Sequence, residues 1–309
     1  MNAIVCSGLT RRFGERTAVD DLSFTIPSAT VFGFLGPNGA GKTTTIRMLA
    51  ALIAPTAGSA QVLGYDVVRE AREVRARVGV LTETPSLYDR LSPLENLIFF
   101  GRLYGLSAAA ARSQAERYLR LFELWPRRDD PVGAFSKGMR QKTALARALL
   151  HDPELMFLDE PTAGLDPEAA FALREFIGGL RSQGRTVFLT THNLAEADSL
   201  CDVIAVFRGR LLRLSAAQEL RRSLYGEALR IELADDAAPF SAVVSAHPAV
   251  SSVQVDGSRL TLQLERVAVT PQLVQALVAA GAPILAVEPL VASLEQVYLD
   301  LIGGGENTA

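Results

Sequence analysis

The sequence predicts an α/β protein: a core of parallel strands interleaved with helices, followed by a small α+β unit. Three observations carry that prediction. The first is a pair of short apolar runs, in "ELMFLDE" and "RTVFLTTH". A strand buried on both faces of a parallel sheet reads this way, rather than alternating. The second is "TVFGFL" followed at once by "GPNGAGKTTT" and "IRMLAALI", a strand, a glycine-rich loop and a helix in succession. The third is a change of pattern after about Ser215, where short alternating segments replace the apolar runs.

Taken in order, residues 1–35 alternate apolar and polar side chains with turn breaks, as in "LSFTIPSATVFGFLG", and read as strands. The helix "KTTTIRMLAALI" is expected to run until Pro55 stops it. From Pro93 to about Leu150 the chain turns helical, with alanine- and leucine-rich runs such as "AAAARSQAERYLRLFEL". The two apolar strands come next. Beyond Ser215, "ALRIELAD" places Leu229, Ile231 and Leu233 on one strand face, and "VSSVQVDGSRLTLQL" reads as a hairpin with Asp256-Gly257 suited to a type I′ turn. "TPQLVQALVAAG" is a helix closed by Gly281, "APILAVEP" a strand, and "SLEQVYLDLIG" a helix opened by a Ser293/Gln296 capping box. A ferredoxin-like arrangement is one form such a unit takes. The expected division is residues 1–215, residues 216–303, and a disordered tail over 304–309.

A length of 309 residues suits about two domains, and 49% hydrophobic with 21% charged residues reads as globular. A net charge of −3 offers no bulk attraction to nucleic acid or anionic lipid. Cys6 and Cys201 have neither ligand-like spacing nor a disulfide framework, and are expected to be buried reduced thiols in a cytosolic protein. The apolar stretch in "MNAIVCSGLTRRFGERT" is too short and too early for a signal peptide. No run reaches the roughly 18 apolar residues of a membrane span; "LVAAGAPILAV" is broken by Gly281 and Pro283. The chain is not expected to enter a membrane by itself.

"GPNGAGKTTT" fits G-x-x-x-x-G-K-[ST] at Gly36, Gly41, Lys42 and Thr43, in the strand-to-helix context that motif needs. The chemistry is anion binding. Bare amides from Gly39 to Thr44 can face phosphate oxygens, and the helix N-terminus adds partial positive charge. Candidate contacts are Gly36, Pro37, Asn38, Gly39, Ala40, Gly41, Lys42, Thr43 and Thr44, with Lys42 on the β- and γ-phosphates and Thr43 on Mg²⁺. In "LMFLDEP", Asp159 and Glu160 stand at the carboxyl end of a buried strand, where α/β sheets bind ligands. Asp159 suits the magnesium shell, and Glu160 is placed to orient and deprotonate an attacking water.

With these motifs and "FSKGMRQKTALARAL" over 135–149, residues 4–214 resemble an ATP-binding cassette (ABC) ATPase. The resemblance implies a phosphate-loop fold: a RecA-like parallel sheet, an antiparallel β subdomain and a helical subdomain at about 84–152. The 135–149 segment resembles the family's LSGGQ signature, with Ser136 and the amide of Gly138 contacting ATP held by a facing copy. "VGVLTE" resembles the Q-loop, with Glu83 in place of glutamine and an oxygen that can reach magnesium. "AGLDP" resembles the D-loop, and Asp166 is open between a helix cap and a contact to a second copy. "TTHNLAEAD" resembles the H-loop, with His192 on the γ-phosphate before an Asn193/Glu196 capping box. Phe13 stands where the family stacks an aromatic on adenine, and otherwise belongs to the core. Lys137 and Met139 depart from the signature, at positions where the family has glycine and glutamine.

The resemblance implies an ATPase using ATP and Mg²⁺, active as a sandwich of two copies. The reading it favours is the energy-coupling subunit of a transporter, similar to cassettes of ABC-2-type exporters. Such a subunit is cytoplasmic, peripheral on the inner face of the membrane through a separate permease. The alternatives are a soluble ABC ATPase working on nucleic acid, disfavoured by the lack of a second cassette, coiled-coil insertion or zinc motif, and a catalytically dead regulator, disfavoured by Lys42, Asp159, Glu160 and His192. No nucleic-acid partner is expected. Tyr88, Phe99, Phe100 and Tyr104 lie where the family docks its membrane partner, but for most of them the favoured reading is core of the helical subdomain.

Overall fold

The computed structural model describes residues 1–217, 219–220, 227–290 and 298. Contacts divide the chain into Met1–Ser215 and Ala216–Ala309.

The first unit is organised around β3 (Val31–Leu35), five consecutive buried residues. It pairs in parallel with β8 (Thr186–Thr191) on one side and β9 (Val203–Arg208) on the other. Beyond β8 lie β7 (Leu155–Asp159) and β6 (Val78–Leu81), also parallel, and β10 (Arg210–Ala216) completes the order β10-β9-β3-β8-β7-β6. Every residue of β3, β7 and β8 is buried, as expected of strands covered on both faces. A second, antiparallel sheet runs β2 (Arg16–Pro27), β1 (Asn2–Phe13), β4 (Ala57–Val62), β5 (Tyr65–Asp66).

Aromatic rings join the two sheets. Phe24 of β2 stacks on Phe32 of β3 at 5.5 Å between centroids, and Phe188 of β8 lies 5.2 Å from Phe32, 5.4 Å from Phe34 and 5.6 Å from Phe157. Phe32 and Phe34 share a face because strand side chains alternate with period two.

Seven helices are described in this unit: α1 (Lys42–Leu49), α2 (Ala71–Arg77), α3 (Pro93–Leu103), α4 (Ala108–Leu121), α5 (Lys137–Leu149), α6 (Pro167–Ser182) and α7 (Leu194–Leu200). Five of them start where a short polar side chain accepts a first-turn amide, Asn193 of α7 among them. Ser92 does so for α3, in a full capping box with Glu95, and Ser107, Ser136 and Asp166 do so for α4, α5 and α6.

Two expectations need correction here. Helix α1 ends at Leu49 rather than near Pro55, because Ala51 turns left-handed with φ 53°. Tyr88, Phe99 and Tyr104 are not helical core. They stay 50%, 41% and 41% exposed, packed against one another or neighbouring rings at the surface.

The second unit runs β11 (Glu227–Leu233), α8 (Ser241–Ser245), β12 (Val250–Asp256), β13 (Arg259–Leu264), α9 (Thr270–Ala279), β14 (Ile284–Leu290). Its antiparallel sheet has the order β12-β13-β11-β14. A β-α-β-β-α-β chain in that order is ferredoxin-like. Leu229, Ile231, Leu260, Leu262, Leu273 and Leu277 are its fully buried centre. The hairpin turn sits one residue later than expected: Asp256 pairs with Arg259, so Gly257 and Ser258 are the loop. Gly257 takes the first central position at φ 56°, and Ser258 is not left-handed. That is the type II′ pattern, not type I′. The Ser293/Gln296 capping box and the tail at 304–309 lie outside the described residues.

Among the described residues no helix is long and apolar enough to cross a membrane. Both cysteines are buried and free, and burial pushes the Cys6 thiol up to about 12.

Because Phe188 touches rings from three other strands or strand positions, Phe188→Ala removes the centre of the aromatic cluster. It is expected to destabilise the first unit by about 3–5 kcal/mol, read from urea unfolding of wild type and variant.

Candidate functional site

The site lies at the carboxyl edge of the parallel sheet. In the pairing register Leu35 of β3 faces Thr191 of β8, Thr190 faces Asp159 of β7, and Leu158 faces Leu81 of β6. Those strands therefore stop at one level. The loops leaving them carry Gly36, His192, Glu160 and Glu83, side by side.

The loop after β3 has no room for side chains on its inner side. A Cβ on Gly36 would stand 2.2 Å from the Phe207 carbonyl oxygen, and one on Gly41 2.2 Å from that of Ala18. Gly39 and Gly41 also take φ 79° and 106°, the left-handed region that glycine enters without strain. Gly41 sits directly before α1, so the helix opens with bare amides at its positive end. Ala40 anchors the loop by accepting from the Gly209 amide at 3.1 Å. Lys42 is buried; its Nζ donates to the Gly36 carbonyl at 2.7 Å and the Pro37 carbonyl at 3.4 Å.

The same ammonium lies 3.1 Å from Glu160 Oε1. Glu160 Oε2 faces His192 Nδ1 at 2.8 Å, an arrangement in which Nδ1–H donates to the carboxylate. Glu160 itself holds φ 49°, unusual for a residue with a side chain, and its amide donates to the Thr190 carbonyl at 3.0 Å. Asp159, 1% exposed, accepts from Thr43 Oγ1 at 2.6 Å and Thr190 Oγ1 at 2.5 Å. Its charge is thus held by two hydroxyls with no cation beside it among the described ion pairs.

Phe13, Pro37, Asn38, Gly39, Gly41, Lys42, Thr43, Thr44, Glu83, Asp159 and Glu160 line one cavity of about 560 Å³. Phe13 is 47% exposed there, which removes it from the core. Six candidates stay outside that lining: Gly36 and His192 adjoin it through Lys42 and Glu160, Ala40 sits between two lining glycines, and the other three are Ser136, Asp166 and Gly138. Ser136 caps α5 through the Met139 amide at 3.3 Å, Asp166 caps α6 through the Ala169 amide at 2.8 Å, and Gly138 faces a different hollow beside Leu165.

The expected capping box on α7 is only half formed. Asn193 accepts from the Glu196 amide at 3.2 Å, while the Asn193 amide turns to Thr191 Oγ1 at 3.0 Å. Glu196 is fully buried instead, and burial raises its pKa.

Sequence reasoning passed over Arg16, Thr190 and Gln141. Arg16 lines the cavity and pairs with Phe13 across the Gly14-Glu15 hairpin turn, a signal present in "RRFGER". Thr190 could have been found from the register of two parallel strands. Gln141 ties α5 to the loop after Glu160, donating to the Pro161 carbonyl at 2.9 Å, and no local pattern announces it.

A second groove, of about 640 Å³, is lined by Arg72, Arg75, Phe100, Leu103, Tyr104 and Arg147, among others. Arg147 lies 4.9 Å from the Phe100 centroid and donates to the Ser86 carbonyl; burial lowers its pKa.

The donor set fits a magnesium nucleotide. Thr43, Asp159 and Glu83 present hard oxygen atoms, and Mg²⁺ binds through one or two carboxylates plus substrate phosphates rather than an all-protein cage. Among the described residues no cluster of three or more His, Cys, Asp or Glu side chains forms such a cage.

Comparison with known proteins agrees with this chemistry. Residues 19–163 match the family described as "ABC transporter", and residues 216–302 match "ATP-binding protein DrrA1-3-like, C-terminal domain". The chain is 39% identical over 305 residues to the daunorubicin resistance ATP-binding protein DrrA3 of Streptomyces coeruleorubidus, covering 97% of this chain and 96% of that one. It is 42% identical over 233 residues to the ABC transporter ATP-binding protein NatA of Bacillus subtilis (strain 168), covering 73% and 94%. A solved ATP-binding subunit of an ABC transporter superposes with a TM-score of 0.66 at 32% identity, covering 72% of this chain and 92% of that one.

The close approach at Gly41 yields a direct test. Gly41→Ala places a methyl group against the Ala18 carbonyl at a backbone angle alanine avoids. The strain alone costs about 1–3 kcal/mol. The variant is expected to melt earlier and to bind Mg-ATP at least tenfold more weakly, measured by thermal unfolding and calorimetric titration.

Proposed function

The chain belongs to the ABC transporter family, and on that premise we propose that it is the ATP-hydrolysing, energy-coupling subunit of an ABC-2-type exporter, acting through a separate membrane permease. The observation that carries the chemistry is the convergence of Lys42, Thr43, Asp159 and Glu160 in one cavity beneath the glycine loop.

In this reading the base stacks on Phe13 and the phosphates lie against the amides of Gly39 to Thr44. Lys42 exchanges its loop carbonyls for phosphate oxygens. Thr43, Asp159 and Glu83 would hold Mg²⁺, which neutralises charge on the phosphates. Glu160 takes the proton of the attacking water, and His192 fixes the carboxylate through the 2.8 Å contact to Oε2 while its half-exposed ring reaches the γ-phosphate side. Glu83 brings a negative charge where glutamine would bring none.

Ser136, Gly138 and Asp166 lie outside the cavity because, in this reading, they serve nucleotide held by a second copy. Lys137 and Met139 leave that serine and glycine amide in place. The groove with Arg72, Arg75, Phe100 and Arg147 is the proposed seat of the permease, which brings the chain to the inner face of the membrane. The cargo is selected by that permease; the relative DrrA3 is named for daunorubicin resistance. Residues 216–303 carry no nucleotide motif and act as an accessory domain. A chain ending at Ser215 is expected to fold and bind Mg-ATP, checked by circular dichroism and titration.

Glu160→Gln tests the mechanism. It keeps the shape but cannot accept the proton, so phosphate release should fall by about 10²–10⁴-fold with ATP binding retained. The variant should run as a dimer on size exclusion with ATP and as a monomer with ADP, and a further Ser136→Arg should abolish the dimer. Normal hydrolysis by Glu160→Gln would move the base elsewhere.

A further inference from the structure

Strand β1 ends in Arg11, Arg12 and Phe13, and its register against β2 breaks between Leu9 and Arg11 and again between Arg11 and Arg12. Such irregularities re-aim side chains and gather beside functional sites. Here they leave the guanidinium of Arg11 over the ring of Phe13, 4.5 Å from its centroid. Arg11 is anchored from behind. Its Nη1 donates to the Ala54 carbonyl at 2.8 Å, and its Nε is buried with no hydrogen-bond partner among the described residues. Among the described ion pairs no carboxylate meets it, so its charge is shared between the Ala54 carbonyl and the ring. Phe13 meanwhile lines the nucleotide cavity and remains 47% exposed. One face of the ring is taken by a cation, and the ring still borders the cavity with about half its surface exposed.

We propose that Arg11 is a positioning residue for the nucleotide base: it clamps one face of Phe13 so that the opposite face is presented to the purine. The inference rests on the reading of Phe13 as the base-stacking residue. Phenylalanine has no hydroxyl to fix its ring angle by hydrogen bonding. An exposed ring that must be immobilised on binding loses rotamer freedom, and holding it beforehand removes that cost. A cation over one face also draws on the ring quadrupole, and the guanidinium plane is the group best shaped to do so. Arg16, the cross-strand neighbour of Phe13, cannot substitute, because it is drawn to the Gly39 carbonyl at 3.4 Å.

The test separates base from phosphate. Full-length protein is titrated with Mg-ATP and with magnesium tripolyphosphate, which has phosphates and no base. Arg11→Met keeps the aliphatic stem and removes the charge. The expected result is a two- to fivefold loss of ATP affinity, about the range of an exposed cation–π contact, with tripolyphosphate affinity unchanged. In a Phe13→Ala background the same substitution should have no further effect. Unchanged ATP affinity in Arg11→Met overturns the proposal. So does an equal loss for both ligands, which would make Arg11 a support of the fold, and so does a loss that persists without Phe13. If Phe13→Ala alone binds ATP as wild type does, the stacking reading itself falls, and the role of Arg11 with it.

Discussion

Everything at the site depends on the register of four parallel strands. β6, β7, β8 and β3 end at one level because Leu81 faces Leu158, Asp159 faces Thr190 and Thr191 faces Leu35. A slip of one residue would turn each strand's side chains to the other face. Asp159 would then lose Thr190, and Glu160 would no longer meet Lys42. The register is held directly beneath the site, by rings of Phe24, Phe32, Phe34, Phe157 and Phe188 drawn from two sheets. Core packing and catalytic geometry are therefore one constraint rather than two.

Within that frame the buried charges satisfy one another provisionally. Lys42 and Glu160 lie 3.1 Å apart with side chains 6% and 9% exposed, and Glu160 Oε1 makes no hydrogen bond despite the ion pair. A buried pair of this kind is costly to break by removing one partner. It is much less costly to exchange one anion for another. The arrangement holds the Lys42 ammonium against a carboxylate, while Glu160 takes a left-handed backbone with His192 on its second oxygen. Backbone strain persists only where the surroundings over-determine it, and here the Thr190 carbonyl and the sheet register do so.

The parts of this molecule that were legible in the sequence are those with local causes. Continuous apolar runs announce β7 and β8, Asp166 before Pro167 announces the start of α6, and glycine spacing announces the phosphate loop. The parts that were not legible depend on partners distant in sequence. Thr190 reaches Asp159 only through strand pairing, Gln141 reaches the Pro161 carbonyl across 20 positions, and Glu196 turns inward although its spacing from Asn193 suits a capping box. The surface aromatics Tyr88, Phe99 and Tyr104 were ambiguous for another reason. Helical periodicity gives a face but not what covers it; Tyr88 and Phe99 pack edge to face, and Tyr104 stacks on His151.

The departure at Lys137 shows how one substitution is absorbed by a neighbour. Its side chain lies across Gly164, where a Cβ would stand 2.2 Å from Nζ. Gly164 is also left-handed, at φ 68°. A lysine at the start of α5 is thus accommodated because the loop leading to Asp166 has no side chain at the point of contact. The same loop is tied to α5 through Gln141, and Asp166 uses its carboxylate to open α6. The start of α5 and the segment from Pro161 to Asp166 therefore form one connected structure, joined to Glu160 through the backbone.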